Sequence, residues 1–313
     1  MTPQRIVILG GTGFLGGALV SRLAADGHSL LLLSRNRQGR RHSAVGRQVT
    51  VASADVYDTA VLRRHFTGAD AVINLVGILN ESGRNTFERV YPGLTRLVVD
   101  ACRDTGVHRL HQMSALKAGQ GLSHYLKARG EAEALVKAST LDWTLYQPST
   151  IFGPGDGLVG RFDQLLRIAP LMPLPRPRAK MAPVYVGDVA EAIARCVNDP
   201  ASSVLRTFEL YGRETWTLLD IVRAIRDTRG RRRVVLPMPD SLGRLQAQFA
   251  QFVPGKPFTP DNFLSLRTDS VGKVDGLAQL GIAPQSFTAW LPRLLGQPVR
   301  QRRLDEARTK RRP

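Results

Sequence analysis

A glycine-rich turn between an apolar strand and a helix constrains this chain more than any other stretch. The apolar run Arg5–Leu9 leads into glycines at positions 10, 13 and 16, a G-x-x-G-x-x-G spacing. Such a turn needs residues that tolerate unusual dihedral angles, and without side chains it lets a pyrophosphate approach the amides of a helix N-terminus. The turn predicts a dinucleotide site; the alternative is a strand-to-helix turn without a ligand. The residues expected to contact the dinucleotide here are Gly10, Thr12, Gly13, Phe14, Leu15 and Gly16.

Strands alternate with helices along the first half of the chain. This rhythm predicts a doubly wound parallel sheet with right-handed crossovers, an α/β, Rossmann-like fold. The predicted strands after the first cover residues 28–33, 48–52, 70–76, 109–114 and 142–148, and the predicted helices cover 14–25, 85–105 and 123–138. The ligand of such a sheet lies at the carboxyl ends of the strands.

The end of the second strand predicts which dinucleotide is bound. An NAD-specific site carries a carboxylate here, which binds the ribose hydroxyls and repels a 2′-phosphate. This chain has Ser34 and Arg35 instead, with Arg37, Arg40 and Arg41 close behind. We therefore expect NADP(H) to be favoured over NAD(H), with Ser34 and Arg35 at the ribose; the alternative is a solvated loop of arginines.

Further cofactor contacts are expected after the third and fourth strands. Asp55 can accept a hydrogen bond from the adenine amino group while Val56 covers the ring, although Asp55 suits an N-cap or a turn equally well. Leu75, Val76 and Gly77 follow the fourth strand, and Gly77 lets the backbone lie along the cofactor.

A serine and a tyrosine eleven residues apart, Ser114 and Tyr125, stand where the chemistry is expected. Together with the glycine turn they resemble the Ser, Tyr-x-x-x-Lys arrangement of the extended short-chain dehydrogenase/reductases. The resemblance implies that Tyr125 is the acid/base and that Ser114 orients a substrate carbonyl. It also implies that the residue four positions after the tyrosine binds the nicotinamide ribose, and here that residue is Arg129. Arginine keeps the positive charge, but its planar fork does not replace an ammonium group that bonds both ribose hydroxyls.

Other segments are similar to an atypical branch of that family, which includes the NADPH-binding accessory subunit of mitochondrial respiratory complex I and its bacterial relatives. Tyr91 stands where active extended members usually have asparagine or histidine. The resemblance implies tight NADP(H) binding, variable or absent turnover, and association with respiratory or ubiquinone-related membrane machinery. It places Met113, Pro148 and Ile151 beside the nicotinamide. The segments that carry it are residues 74–79, 125–133, 141–144, 148–156, 183–191, 258–262, 280–284 and 291–295.

Two functions remain open. The first is an NADP(H)-binding protein with weak or absent turnover and a respiratory or quinone-related role. The second is an active NADP(H)-dependent oxidoreductase or epimerase that uses Tyr125 and Ser114 on a hydrophobic carbonyl or quinone-like substrate. No metal site is expected, and both cysteines, Cys102 and Cys196, lack partners at metal or redox spacing.

The charge of the chain predicts an anionic partner. Lys and Arg number 44 against 26 Asp and Glu, a net charge of +18. An anionic membrane surface or an acidic protein partner would suit this charge, whereas nucleic acid is disfavoured because no basic motif is interleaved with aromatic residues. The alternative is a set of solvated arginine-rich faces. The first strand begins too early for a signal peptide, so we expect a cytoplasmic protein, peripheral on the inner membrane face.

The chain is expected to form two domains and a tail. Residues 1–156 and 183–198 are assigned to the NAD(P)-binding domain, residues 157–182 and 199–299 to a smaller C-terminal α/β domain that holds substrate or partner, and residues 300–313 to a basic tail. The strand 208–210 is assigned to the smaller domain. Within that domain, residues 242–252 are apolar at helical spacing and suit a core helix better than a lid or a lipid-facing helix.

Overall fold

The computed structural model describes residues 2–34, 48–252 and 258–296. Its centre is a sheet of seven parallel strands. The strands of the described residues are β1 Arg5–Leu9, β2 Ser29–Ser34, β3 Val49–Ser53, β4 Ala71–Asn74, β5 Arg109–Met113, β6 Asp142–Pro148, β7 Ile151–Phe152, β8 Leu171–Leu174, β9 Lys180–Met181, β10 Val184–Tyr185, β11 Arg206–Leu210, β12 Trp216–Thr217 and β13 Val234–Pro237. Strands β1 to β6 and β11 form the large sheet, and the other strands form smaller ones. The helices are α1 Phe14–Ala25, α2 Thr59–Phe66, α3 Leu94–Thr105, α4 His124–Lys137, α5 Gly157–Ile168, α6 Val186–Asn198, α7 Leu218–Thr228, α8 Asp240–Ala250, α9 Pro260–Ser265, α10 Gly276–Gln279 and α11 Phe287–Leu295.

The strand order of the large sheet is β11-β6-β5-β4-β1-β2-β3, which confirms the predicted Rossmann-like, doubly wound architecture. Alternation along β1 explains why helices cover both faces. Ile6 and Ile8 pack into one buried cluster with side chains of α1 and α6. Val7 and Leu9 pack into a second cluster with side chains of α2, α3 and α4. Because side chains of a strand alternate between faces, an all-apolar strand requires apolar cover on each side.

The long helix predicted over residues 85–105 needs a correction. Asn85 pairs with Ser82 in an isolated bridge, and the helix that follows contains a π-helical turn, Arg89–Gly93, before α3 begins. Pro92 lies inside this turn. A proline lacks the N–H of an α-helix and its ring clashes with the carbonyl four residues earlier, so the helix widens locally.

The prediction for residues 208–210 is also corrected. They belong to β11, which pairs in parallel with β6 and forms one edge of the large sheet, rather than a strand of the smaller domain. Phe208 and Leu210 are fully buried in the same cluster as α1 and α6. A short apolar strand fits either sheet, and its burial partners decide which one it joins.

A third buried cluster lies beyond the large sheet. It joins side chains of α5, α7 and α11 with those of the small sheet formed by β8 and β13. We call this part of the chain the C-terminal lobe. The predicted core helix at 242–252 lies here as α8, but Phe249 and Phe252 are among its most exposed residues, so the core assignment is wrong.

Among the described residues, no helix has both the length and the apolar composition required to cross a bilayer.

Candidate functional site

The glycine turn forms a cradle at the carboxyl edge of the sheet. Gly10 has φ +78°, a conformation that L side chains rarely adopt. A Cβ atom on Gly16 would lie 2.5 Å from the carbonyl carbon of Gly11, so only glycine allows the helix to start this close to the strand. Helix α1 begins at Phe14 without a side-chain cap or an acidic residue in its first turn. The N–H groups and the positive end of the helix dipole are therefore available to an anion, and the cradle fits the pyrophosphate of a dinucleotide.

The end of β4 approaches this cradle closely. The amide of Leu75 donates to the Leu9 carbonyl at 2.9 Å, and a Cβ atom on Gly10 would lie 3.0 Å from the Leu75 carbonyl carbon. On the other side of the turn, Thr12 Oγ1 lies 3.5 Å from Ser34 Oγ at the end of β2. The structure thus brings together the predicted contacts at the ends of β1, β2 and β4. Arg35, the residue predicted to select NADP(H), lies outside the described residues.

Asp55 and Val56 follow β3 at the same edge. Asp55 Oδ1 accepts a hydrogen bond from the Tyr57 amide at 3.0 Å, which is the turn role offered as the alternative for this residue. Val56 is buried and packs in the cluster beneath the sheet. The contacts of both residues with adenine stay a prediction.

A cleft of about 410 Å³ opens next to Asp55. The guanidinium of Arg89 stacks on the Tyr57 ring with its carbon 4.1 Å from the ring centroid. The contact between Tyr57 and Arg89 was not predicted, because the two residues come from segments far apart in the chain. The cleft is lined by Ser53, Ala54, Asp55, Tyr57, Arg84, Asn85 and Arg89.

Ser114 follows β5 and offers a free hydroxyl. Its amide donates to the Tyr146 carbonyl at 2.7 Å, which fixes the backbone beside β6. The residue is 3% exposed, and its Oγ has no hydrogen-bond partner within the described parts of the chain. Since buried hydroxyls are nearly always paired, an unpaired one at this edge is suited to meeting a ligand.

Tyr125 lies in the first turn of α4, which begins one residue after Ser123. Ser123 caps the helix by accepting from the Leu126 amide at 3.2 Å. Asp261, from the C-terminal lobe, accepts from the amides of His124 at 2.6 Å and Tyr125 at 3.3 Å. This contact was not predicted, because 136 residues separate Asp261 from Tyr125 in the chain.

Arg129 is buried, and its guanidinium lies between the end of β5 and Gly77, which follows β4. Its Nη1 donates to the Met113 carbonyl at 2.7 Å, and a Cβ atom on Gly77 would lie 3.1 Å from its Nη2. Burial acts to lower the pKa of this guanidinium, but the hydroxyls of Tyr91 and Tyr125 act to raise it, and the pKa ends above its ordinary value. Arg129 is therefore a fixed positive charge next to Tyr125.

Tyr91 forms the other side of the arginine site. The Arg129 guanidinium carbon lies 4.0 Å from the Tyr91 ring centroid and 5.5 Å from that of Tyr125, a cation–π arrangement. The Tyr91 hydroxyl donates to the Ile78 carbonyl at 2.6 Å and accepts from the Ile78 amide at 3.0 Å. Burial raises the pKa of Tyr91 to about 12, so this phenol stays protonated at neutral pH. The sequence singled out both residues but did not reveal that they pair.

Pro148 ends β6, and Ile151 begins β7. The Pro148 carbonyl accepts from the Leu116 amide at 2.9 Å, and the Ser149 amide donates to the Leu210 carbonyl at 2.9 Å. These bonds fix the stretch to its neighbouring strands. The contact of Pro148 and Ile151 with a carboxamide stays a prediction. Within residues 2–34, 48–252 and 258–296, no three His, Cys, Asp or Glu side chains gather as a metal site would require.

Comparison with known proteins agrees with this geometry. Residues 10–200 match a family described as NAD(P)H-binding. The chain is 30% identical over 241 residues to the mitochondrial NADH dehydrogenase [ubiquinone] 1 alpha subcomplex subunit 9 of Arabidopsis thaliana. The match covers 74% of this chain and 60% of that protein, so the chain spans less than two thirds of this relative's length. It is also 26% identical over 235 residues to a ceramide reductase of Caulobacter vibrioides, covering 75% of this chain and 74% of that protein.

A solved structure shares the fold. The NADPH-dependent quinone oxidoreductase of Escherichia coli, complexed with NADPH, superposes with a TM-score of 0.76 at 18% identity, covering 93% of this chain and all of that chain.

Proposed function

Because this chain belongs to the NAD(P)H-binding family, we propose that it binds NADP(H) in preference to NAD(H) and has weak or absent turnover in a respiratory or quinone-related role. One observation carries the cofactor part of the proposal. The cradle at Gly10 and Gly16 has no room for a side chain and faces the uncapped start of α1. Such a site holds a pyrophosphate through backbone amides.

The preference for NADP(H) is supported by the end of β2. This strand ends at Ser34, whose hydroxyl lies beside Thr12, so no carboxylate stands at that position to repel a 2′-phosphate. Arg35 follows in the sequence and supplies a positive charge. An arginine bonds a phosphate through a charged, two-pronged contact that a ribose hydroxyl cannot match.

Weak turnover is supported by the environment of Arg129. In an active site of the short-chain dehydrogenase type, the cation at this position binds the nicotinamide ribose. Here the guanidinium is held by the Met113 carbonyl and by the Tyr91 ring. The side chain that should serve the ribose is thereby engaged within the protein.

The Arabidopsis relative supports a respiratory setting. The name of the Arabidopsis relative describes it as a subunit of a mitochondrial NADH dehydrogenase and includes ubiquinone. We extend that setting to this chain as a proposal: a respiratory or quinone-related protein or an anionic membrane surface is its partner, and its place is the cytoplasmic, inner face of the membrane. The net charge of +18 favours an anionic partner.

A second candidate function is an active reductase, and the free hydroxyl of Ser114 favours it. When bound, the reduced nicotinamide supplies a hydride for the carbonyl carbon of a substrate. Ser114 Oγ donates a hydrogen bond to the carbonyl oxygen, and the Tyr125 hydroxyl gives that oxygen its proton. The resulting phenolate is stabilised by the positive charge of Arg129 until water returns the proton. The relative named a ceramide reductase suggests a hydrophobic carbonyl or quinone-like substrate.

Titration of NADPH and NADH fluorescence tests the cofactor proposal. We expect NADPH to bind at least about tenfold more tightly, which corresponds to roughly 1.4 kcal/mol from a charged phosphate contact. Arg35→Ala should weaken NADPH binding and leave NADH binding unchanged. Equal affinities for the two nucleotides in the unmodified chain would contradict the preference.

Turnover with quinone or long-chain ketone substrates separates the two functions. If NADPH is bound but not oxidised, the non-turnover function stands. If NADPH is oxidised and Tyr125→Phe abolishes the reaction while it leaves NADPH binding intact, the chain is a reductase. Turnover should also be measured for Arg129→Lys, because this variant restores the ammonium group that the short-chain dehydrogenase/reductases use.

A further inference from the structure

Helix α8 turns its large apolar side chains away from the protein. Leu242, Leu245, Phe249 and Phe252 follow each other at three- and four-residue intervals and lie on one side of the helix and its last turn. All four are exposed, Phe249 at 68% and Phe252 at 79%. A helix on the surface of a soluble domain normally buries this stripe.

The inner side of α8 explains the orientation. Gly243 and Ala247 are its buried residues. A Cβ atom on Gly243 would lie 2.8 Å from the Pro175 Cβ and 3.1 Å from the Phe263 ring. Small residues let the helix pack closely against the lobe, and this contact leaves the large side chains on the solvent side.

A second exposed apolar face belongs to the same lobe. Strands β8 and β13 pair in parallel, with Leu171 opposite Val234 and Pro173 opposite Leu236. These four side chains are exposed, while Met172, Leu174 and Val235 are buried in the cluster of the lobe. Within the described residues, the sheet thus has one buried side and one exposed side. We call these residues and the stripe on α8 the apolar surface of the lobe.

The segments that carry the apolar surface are strongly basic. Residues 161–180 and 226–252 contain eleven Lys and Arg against three Asp, an excess of eight positive charges. Each of the three acids is already paired with arginine: Asp163 with Arg229 and Arg231, Asp227 with Arg226, and Asp240 with Arg176. Arg178, Arg232 and Arg244 remain exposed on the same segments.

We propose that the C-terminal lobe docks on an anionic lipid bilayer through its apolar surface. Phenylalanine and leucine enter the boundary between headgroups and acyl chains, and the exposed arginines of the same segments meet the anionic headgroups. A second copy of this chain is a poor occupant, because two faces with the same excess of positive charge repel each other. The inference rests on the proposed association with a membrane and names the surface responsible; it is independent of the choice of cofactor.

Flotation of the full chain with vesicles tests the proposal. The vesicles are phosphatidylcholine alone or phosphatidylcholine with phosphatidylglycerol, at low and high salt. The test variant is Phe249→Ser with Phe252→Ser, and the control is Val274→Ser, another exposed apolar residue outside the two basic segments. We expect the unmodified chain and the control to float with anionic vesicles at low salt. The double variant should bind at least about tenfold more weakly, since two buried rings are lost.

A second measurement locates the inserted side chain. Phe249→Trp should shift its fluorescence to the blue with anionic vesicles and be quenched by brominated lipids, whereas Val274→Trp should not. Equal flotation of the double variant and the unmodified chain overturns the inference and leaves membrane association to another surface, such as the basic tail. Absence of flotation in every chain overturns both the inference and the proposed membrane association. Loss of self-association in the double variant, without any lipid binding, would assign the surface to a second copy and also overturn the inference. NADPH titration of each variant reports separately on the cofactor site.

Discussion

Two neighbouring glycines in the first helix have opposite requirements. Gly16 faces the backbone of Gly10 and Gly11, whereas a Cβ atom on Gly17 would meet nothing within 4 Å. One methyl group at position 16 must therefore displace the backbone of the turn, while the same group at position 17 points into open space. Both residues belong to α1, so they differ only in what they face: Gly16 faces the glycine turn, and Gly17 does not.

Gly16→Ala should abolish NADPH binding and lower the free energy of unfolding, because the cradle cannot keep its geometry around the extra atom. Gly17→Ala is the matched control. It should bind NADPH normally and gain about 0.5–1 kcal/mol of stability, because alanine loses less backbone entropy in a helix. Nucleotide titration and urea unfolding measure both effects. Normal binding by Gly16→Ala would show that the pyrophosphate lies elsewhere.

His111 is fully buried beneath the site, with Nδ1 2.7 Å from the Tyr146 hydroxyl. Burial, helped by the charge of Arg109, holds the pKa of His111 well below its ordinary value. The unfolded chain binds a proton near pH 6.5 while the folded chain does not, so stability is full above that pH and is lost as the pH falls below it.

Urea unfolding between pH 7.5 and pH 5 should show this loss, with a slope of up to about 1.4 kcal/mol per pH unit from this one group. His111→Gln keeps a polar partner for Tyr146 and removes the titration. The difference between the two pH profiles isolates the histidine from other groups. A constant difference across the range would mean that His111 titrates alike in the folded and the unfolded chain, so that folding does not lower its pKa.

At the scale of elements, the capping of α4 links two distant parts of the chain. Asp261 accepts from two amides in the first turn of the helix that carries Tyr125. Asp58 does the same for α2 with the amides of Ala60 and Val61, but it belongs to the chain directly before its helix. Both carboxylates meet the positive end of a helix dipole.

Asp261→Asn should lower the free energy of unfolding by about 1 kcal/mol, since an acceptor and a charge at the helix end are lost. Asp58→Asn should cost less, because the single oxygen that Asp58 uses for both amides is kept in asparagine. Hydrogen exchange distinguishes them: amides of His124 and Tyr125 should exchange faster only in Asp261→Asn. Unchanged protection of these two amides in that variant would mean that Ser123 alone holds the helix.

The elements themselves were largely predictable, because periodicity and caps are local signals. The helix predicted over 123–138 is α4, His124–Lys137, and the strand predicted over 28–33 is β2, Ser29–Ser34. The π-helical turn around Pro92 was not predicted, since a proline within a helical pattern does not reveal how the backbone adjusts. For α8, spacing gave the helix but not its orientation, which depends on how closely Gly243 approaches Pro175.

At the scale of the whole molecule, the sequence predicted the parallel sheet and the edge at which the candidate site lies. The order of elements predicts that the glycine turn and the strand ends lie together, because the carboxyl ends of parallel strands share one edge. The partners of Arg129 could not be read in this way. Whether that side chain reaches the ribose or the Met113 carbonyl depends on packing against Tyr91, which comes from another element. Residues 208–210 were assigned to the wrong sheet for the same reason: the partners of a short strand depend on packing between distant segments.

The two bonds from Asp261 give the molecule a mechanical property. Asp261 lies nine positions after Phe252 in the chain, yet its carboxylate holds the turn that presents Tyr125. The lobe and the large sheet cannot slide or rotate past each other at this point without first releasing both amides. The first turn of the helix that carries the phenol is therefore held in part from outside that helix, and a force applied to the lobe reaches this turn through the Asp261 carboxylate.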